Sequence, residues 1–193
     1  MDSRKVGALI KSLRVGHGMT QLQLAEKLNV TDRAVSKWER GEGCPDITLI
    51  SKISHVLGAS AESLLNGSID ENKADGGNMK RVKFYVCPNC GNVITSTGDA
   101  EISCCGKKLQ SLEANQIDEA HKLNVTYSDD EMYITFTHEM SKEHFISFIA
   151  YVALDKVFVQ RLYPEQSQEI LLPKMHGGKF YIYCNKHGMF VQE

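Results

Sequence analysis

Cys87-Pro88-Asn89-Cys90, followed fourteen residues later by the adjacent pair Cys104-Cys105, constrains this chain more than any other feature. Four of its six cysteines therefore fall within one short, glycine-bearing stretch. A soft tetrahedral metal ion needs four thiolates converging from about 2.3 Å. A Cys-x-x-Cys turn supplies two of them from one knuckle, and a second knuckle supplies the rest. A pair of disulfides is the alternative. Met1 to Lys5 lead into an amphipathic pattern and not into an apolar signal core. The expectation is therefore a cytoplasmic protein, whose thiols stay reduced and are available to a metal.

The 193 residues leave room for one large domain or two to three small ones. No run approaches the roughly 18 apolar residues of a membrane span. The net charge of −2 does not by itself suggest nucleic acid, but it is unevenly placed. Residues 1–66 hold nine Lys/Arg against seven Asp/Glu, a net of +2, which leaves −4 on the remainder. A mildly basic head precedes an acidic body.

Residues 1–66 read as five short helices. Val6, Leu9, Ile10 and Leu13 share one helical face, and Gly16-His17-Gly18 stops that helix. Thr20 and Gln23 fit a capping box ahead of Leu24, Ala25 and Leu28. Thr31, Asp46 and Ser60 are the expected caps of the helices that follow. Trp38 continues the apolar face of Val35, which reads as core and not as a base-stacking residue. Residues 67–81 are polar and glycine-bearing and are read as a linker. From Val82 onward the periodicity changes to alternation. Runs such as Met132–Thr137, Phe145–Ile149, Val157–Val159 and Phe180–Tyr183 are β-branched and aromatic, which predicts a small antiparallel β-sandwich.

Two helices joined by a tight turn place the second in the major groove of DNA. Leu24-Ala25-Glu26-Lys27-Leu28, then Val35-Ser36-Lys37-Trp38-Glu39-Arg40-Gly41 and Pro45-Asp46, closely resemble the XRE (Cro/CI-type) helix-turn-helix family. The resemblance covers about residues 3–66 and implies a five-helix, lambda-repressor-like domain. It places Asp32, Arg33, Ser36 and Lys37 on the groove-facing side of the recognition helix. Arg33 and Lys37 suit guanine acceptors, and Asp32 suits a cytosine amino group. Gln21, Arg14 and Arg40 are the expected phosphate contacts. The family implies a homodimer on a near-palindromic double-stranded operator. A protein-binding role for the helices is the alternative.

Phe84 to Gly91 with Cys104-Cys105-Gly106 resembles the desulforedoxin module, which implies iron held by Cys87, Cys90, Cys104 and Cys105. A zinc ribbon has the same ligands, so zinc is the substitute ion. Beyond it the chain resembles desulfoferrodoxin, the superoxide reductase family. That resemblance implies an immunoglobulin-like β-sandwich with a second iron, ringed by four histidine nitrogens and one axial cysteine thiolate. His138-Glu139-Met140-Ser141-Lys142-Glu143-His144 and Cys184-Asn185-Lys186-His187 match its motifs. The expected second-site ligands are His138, His144, Cys184 and His187. The first ligand histidine of the family falls here on Asn124, and His121 lies three residues early. His121 or Asn124 is thus the fourth equatorial candidate, and strand register argues against His121. Lys122 lies near the place of the lysine that attracts superoxide and is the one catalytic candidate. Cys44, His17, His55 and His176 have no partners by spacing and read as structural or surface residues.

The expected domain order is 1–66 helix-turn-helix, 67–81 linker, 82–112 four-cysteine module and 113–193 β-sandwich. The leading functional expectation is a DNA-binding transcription regulator whose iron-bearing body responds to redox state. The alternatives are a superoxide reductase that carries a DNA-binding domain, and a zinc-bearing structural dimeriser. Superoxide or another small redox ligand is the expected small partner.

Overall fold

A computed structural model describes residues 2–69 and 79–193. Residues 70–78, most of the segment read as a linker, lie outside the described residues. The chain divides into two compact units, one helical and one largely of strands.

The helical unit comprises α1 (Ser3–Gly16), α2 (Gln21–Leu28), α3 (Asp32–Glu39), α4 (Ile47–Leu57) and α5 (Ala61–Asn66). Local chemistry sets the ends. Thr20 Oγ1 accepts from the Gln23 N–H while the Gln23 side chain accepts from the Thr20 N–H, closing a capping box. Thr31, Asp46 and Ser60 cap α3, α4 and α5 one-sidedly, their side chains accepting from the N–H groups of Ala34, Thr48 and Ser63. Asn29 takes a left-handed φ of 62°, which ends α2 and turns the chain into α3. Val6, Ile10, Leu24, Leu28, Val35, Ile53, Leu57 and Leu64 are buried together, with Trp38 at the margin of the same core. Each such side chain contributes on the order of 1.5–3 kcal/mol by leaving water. Gly7 allows α1 to meet the end of α3: a Cβ there would stand 1.9 Å from the Trp38 carbonyl oxygen.

The second unit opens with a 3-10 turn (Met79–Arg81) and contains twelve described strands. β1 (Lys83–Val86) and β2 (Val93–Ser96) form one hairpin, and β3 (Ile102–Cys104) and β4 (Lys107–Leu109) another. A five-stranded sheet runs β5 (Ala114–Gln116), β12 (Gly188–Gln192), β11 (Lys179–Cys184), β8 (Ile146–Val152) and β9 (Val157–Arg161). A three-stranded sheet runs β10 (Glu169–Pro173), β7 (Glu131–Phe136) and β6 (Leu123–Ser128).

Both sheets contribute to one core. Met132, Ile134, Leu123 and Leu172 come from the smaller sheet, and Ile149, Tyr151, Phe180 and Ile182 from the larger. The opposite face of the larger sheet packs Phe148, Ala150 and Val152 beneath Phe84 of β1. β8 is therefore buried along its whole length, where alternation predicted a half-exposed strand. The expectation of antiparallel pairing also needs correction at one edge. β5 pairs parallel with β12, because the chain touches the larger sheet there and then crosses to the smaller one as β6. No described helix is long and apolar enough to cross a membrane.

Candidate metal centres and nucleic-acid interface

Two hairpin turns build the four-thiol cluster. After β1 the Cys87 carbonyl accepts from the Gly91 N–H at 2.8 Å, and the Cys87 N–H donates to the Asn92 carbonyl at 2.9 Å. Between β3 and β4 the two turn residues are Cys105 (φ 50°) and Gly106 (φ 74°), the signs of a type I′ turn. Cys104 thus ends a strand while Cys105 opens the turn, which lets two adjacent thiols face one point. The four sulfurs all lie within 4.8 Å of one another, with Cys90–Cys104 at 3.6 Å and Cys104–Cys105 at 4.0 Å. A tetrahedron with 2.3 Å arms has edges of about 3.8 Å, so the spacing suits a single ion. The backbone N–H groups of Cys90 and Asn89 draw the Cys87 thiol down to about 6. Hydrogen bonding with Cys90, Cys87 and Cys104 pushes Cys105 up to about 12. Cys87 thus favours its thiolate while Cys104 and Cys105 favour their thiols, so a metal entering the set would release protons.

The second cluster is drawn from the end of β11 and from turns and loops that flank the strands of both sheets. His121, His138, Cys184 and His187 place one donor atom each within 4.8 Å of the others. His144 adjoins them. The four imidazoles form a closed square, with ring-centre separations of 4.8 Å (His121–His138), 4.5 Å (His138–His144), 4.7 Å (His144–His187) and 5.1 Å (His187–His121). Cys184 ends β11 at a register shift beside Tyr183, and its buried sulfur accepts from the Lys186 N–H at 3.4 Å. His187 sits in the following turn, with Nδ1 3.1 Å from His121 Nε2 and 3.7 Å from Cys184 Sγ. It is the exposed member of the group.

Hydrogen bonds on the outer side of three rings fix which nitrogen faces inward. The His121 backbone N–H and Nδ1–H both donate to Asp118 Oδ1, at 2.9 and 2.6 Å, and its ring stacks on Phe190 at 3.9 Å. His138 Nδ1–H donates to the Glu139 carbonyl at 2.5 Å, and His144 Nδ1–H to Glu139 Oε2 at 2.9 Å. The Nε2 atoms of His138 and His144 are buried with no hydrogen-bond partner. A buried polar atom without a partner costs about 1–3 kcal/mol. Two of them, beside a buried thiol and two more imidazoles, fit a transition-metal ion. Burial also holds His138 below the ordinary imidazole range, in the neutral form that ligates.

Sequence register pointed to Asn124 and away from His121; the structure reverses this. Asn124 lies within β6 opposite Thr135, exposed and on the face away from the core that holds Leu123. His121 precedes the strand, in a turn whose geometry Asp118 sets. Lys122 is exposed and paired with Glu119 at 3.4 Å. Sequence reading missed Asp118, Glu139 and Phe190. The signal for the first was an Asp three residues before a His, the spacing of a side-chain-capped turn.

In the helical unit Asp32, Arg33 and Lys37 are exposed on α3, with Ser36 half-buried beside them. The expectation that Arg14 meets phosphate is corrected. Arg14 is buried, with Nε and Nη2 on Glu39 at 2.6 and 2.9 Å and Nη1 on the Met19 carbonyl at 2.6 Å. Its role is to tie α1 to the end of α3. Gln21 Nε2 donates to the same carboxylate at 2.8 Å, at the first turn of α2. Arg40 is exposed and bonded to Glu42 and Ser36. His17 Nε2 lies 3.0 Å from the Leu57 carbonyl oxygen, Cys44 is half-buried, and His55 and His176 are exposed.

Comparison with known proteins follows the same division. A helix-turn-helix family model matches residues 10–64. The HTH-type transcriptional activator BcrR of Enterococcus faecalis is 35% identical over 83 residues, 40% of this chain and 39% of that protein. Desulfoferrodoxin of Syntrophotalea carbinolica is 31% identical over 123 residues, 59% of this chain and 98% of that protein. The crystal structure of superoxide reductase from Treponema pallidum superposes with a TM-score of 0.51 at 17% identity, over 58% of this chain and 98% of that one, a likeness of fold. The two clusters of this chain match the donor sets of an Fe(Cys)4 and an Fe(His)3Cys site, and the chain is a member of the desulfoferrodoxin family joined to an N-terminal XRE-type helix-turn-helix domain.

Proposed function

We propose that this protein is a one-component transcription regulator in which α3 reads an operator and the metal centres of the second unit set the strength of that hold. One observation carries the reading. The buried, partnerless Nε2 atoms of His138 and His144 face a donor set built for a redox-active ion, in the same chain as an exposed recognition helix. Iron supplies one-electron redox chemistry at such a site. The chain would supply the rest: Cys184 would donate electron density, and the imidazoles of His121, His138, His144 and His187 would hold the ion, with His187 the exposed member. Arg33 and Lys37 read base edges while Gln21 and Arg40 meet phosphates. A single helix-turn-helix reads few bases, which supports a homodimer on two half-sites about 34 Å apart. The four-cysteine module is the proposed dimer surface. The shared core of the two sheets supports an immunoglobulin-like sandwich, and the unpaired thiols support a cytoplasmic setting.

Metal state and operator affinity are linked only if the two states make different contacts, typically worth 5–150-fold. An operator obtained by selection from random duplexes is titrated with ferrous, ferric and metal-free protein at one salt concentration. The reading expects affinities that differ at least about fivefold between two of these states. Equal affinities in all three overturn it.

A second reading, reduction of superoxide to hydrogen peroxide, is supported by the position of His121, which would add a fourth imidazole to those of His138, His144 and His187. Turnover of superoxide by the iron-loaded protein, lost in Cys184→Ser, supports it; no turnover above free iron rules it out.

A further inference from the structure

Two carboxylates stand outside the imidazole square, and neither belongs to the donor set. Asp118 Oδ1 accepts both the backbone N–H and the Nδ1–H of His121. Glu139 Oε2 accepts the Nδ1–H of His144, and its own carbonyl accepts the Nδ1–H of His138. The side chains of Asp118 and Glu139 are 52% and 58% exposed, while those of His121 and His144 are only 2% and 17% exposed. The arrangement is thus solvent-side carboxylate, imidazole, interior. Each bond fixes the tautomer with the proton on Nδ1 and turns the Nε2 lone pair inward. Each also raises the basicity of its ring through a charged acceptor. Glu139 touches two neighbouring rings at once, one through backbone and one through side chain, so it sets the angle between them. Asp118 solves a different problem. His121 comes from a turn and not from a strand, so no ladder fixes its direction. The bidentate use of Asp118, with Phe190 stacked 3.9 Å beneath the ring, supplies that direction instead.

We propose that Asp118 and Glu139 are positioning residues of the His/Cys centre: they aim His121 and His144 at the ion and favour its oxidised, more positive state. This rests on the reading that the cluster holds a redox-active metal. Asp118 acts through His121, and Glu139 through His138 and His144; neither touches the ion.

The test uses the full chain loaded anaerobically with Fe(II). The band of Cys184-ligated ferric iron, defined as the absorption lost in Cys184→Ser, reports this site apart from the four-thiol one. Fe(II) affinity is read by chelator competition, and the midpoint potential by titration of that band. Asp118→Ala and Glu139→Ala are expected to bind Fe(II) about 10–100-fold more weakly, the usual cost of losing an outer partner of a ligating histidine. Asp118→Asn and Glu139→Gln keep an oxygen acceptor but lose the charge. They are expected to retain affinity better than the alanine variants and to show a raised potential. Both side chains are largely exposed, so the amide variants leave the cores intact. If the Cys184-dependent band is present and all four variants match wild type in potential and within about twofold in affinity, the proposal is wrong while the metal reading stands. If the band is missing from loaded wild type, the metal reading fails and the proposal falls with it.

Discussion

His121 reaches the metal cluster from a turn, whereas strand register would have supplied Asn124. The difference is physical. A strand side chain has two directions to choose from, and Asn124 takes the solvent one so that Leu123 can enter the core. A turn side chain is aimed by whatever bonds it, and Asp118 provides that bond. Asn124→His is therefore expected to leave iron content unchanged. His121→Ala is expected to weaken Fe(II) binding at the His/Cys site by about tenfold or more, since it removes a ligand and not merely an outer partner. Metal analysis after equal chelator exposure checks both, and iron gained by Asn124→His would contradict the geometry. The four clustered cysteines, and His138, Cys184 and His187, could be read from the sequence because ligand spacing survives in one dimension. Asp118, Glu139 and Phe190 were not, because nothing in spacing says which outer atom a ring nitrogen will meet.

Helices in the first unit followed the sequence closely, since capping is a matter of three or four neighbouring residues. Thr20 with Gln23, Thr31, Asp46 and Ser60 all act where local chemistry puts them. What escaped notice was the long-range tie among α1, α2 and α3. The Glu39 side chain is 2% exposed and that of Arg14 10%. Burial alone would raise the Glu39 carboxyl, but bonds from Arg14 and Gln21 outweigh it and hold it below the usual carboxylate range. A depressed folded-state value means the pair stabilises above the unfolded carboxylate pKa and loses that stabilisation as pH falls through the folded value. Thermal melting followed by circular dichroism should show the helical unit weakening below about pH 4. Glu39→Ala strands a buried guanidinium and is expected to cost about 3–5 kcal/mol near neutrality. A variant as stable as wild type at pH 7 would remove this tie from the account. Among the strands, β8 and β5 departed from expectation for a reason of layering. A strand covered on both faces loses its alternation, and an edge strand of three residues carries too little pattern to reveal its direction.

Seen whole, the second unit stacks the β1–β2 hairpin of the four-cysteine module against the outer face of the sheet that carries Cys184. Phe84 of β1 meets Phe148 at 5.6 Å, and Phe148 meets Tyr183, the neighbour of Cys184, at 5.4 Å. The two donor sets are thus built on one packed body, while the helices form a unit of their own. The central claim is that both sets hold iron. It is tested most directly by elemental analysis with a visible spectrum on protein made in iron-replete, anaerobic cells. The account predicts two irons per chain. Cys87→Ser with Cys90→Ser should remove one and leave the Cys184-dependent band, and Cys184→Ser should remove that band and leave the other centre. Zinc in the four-thiol site with no metal at His121, His138, His144, Cys184 and His187 would contradict it.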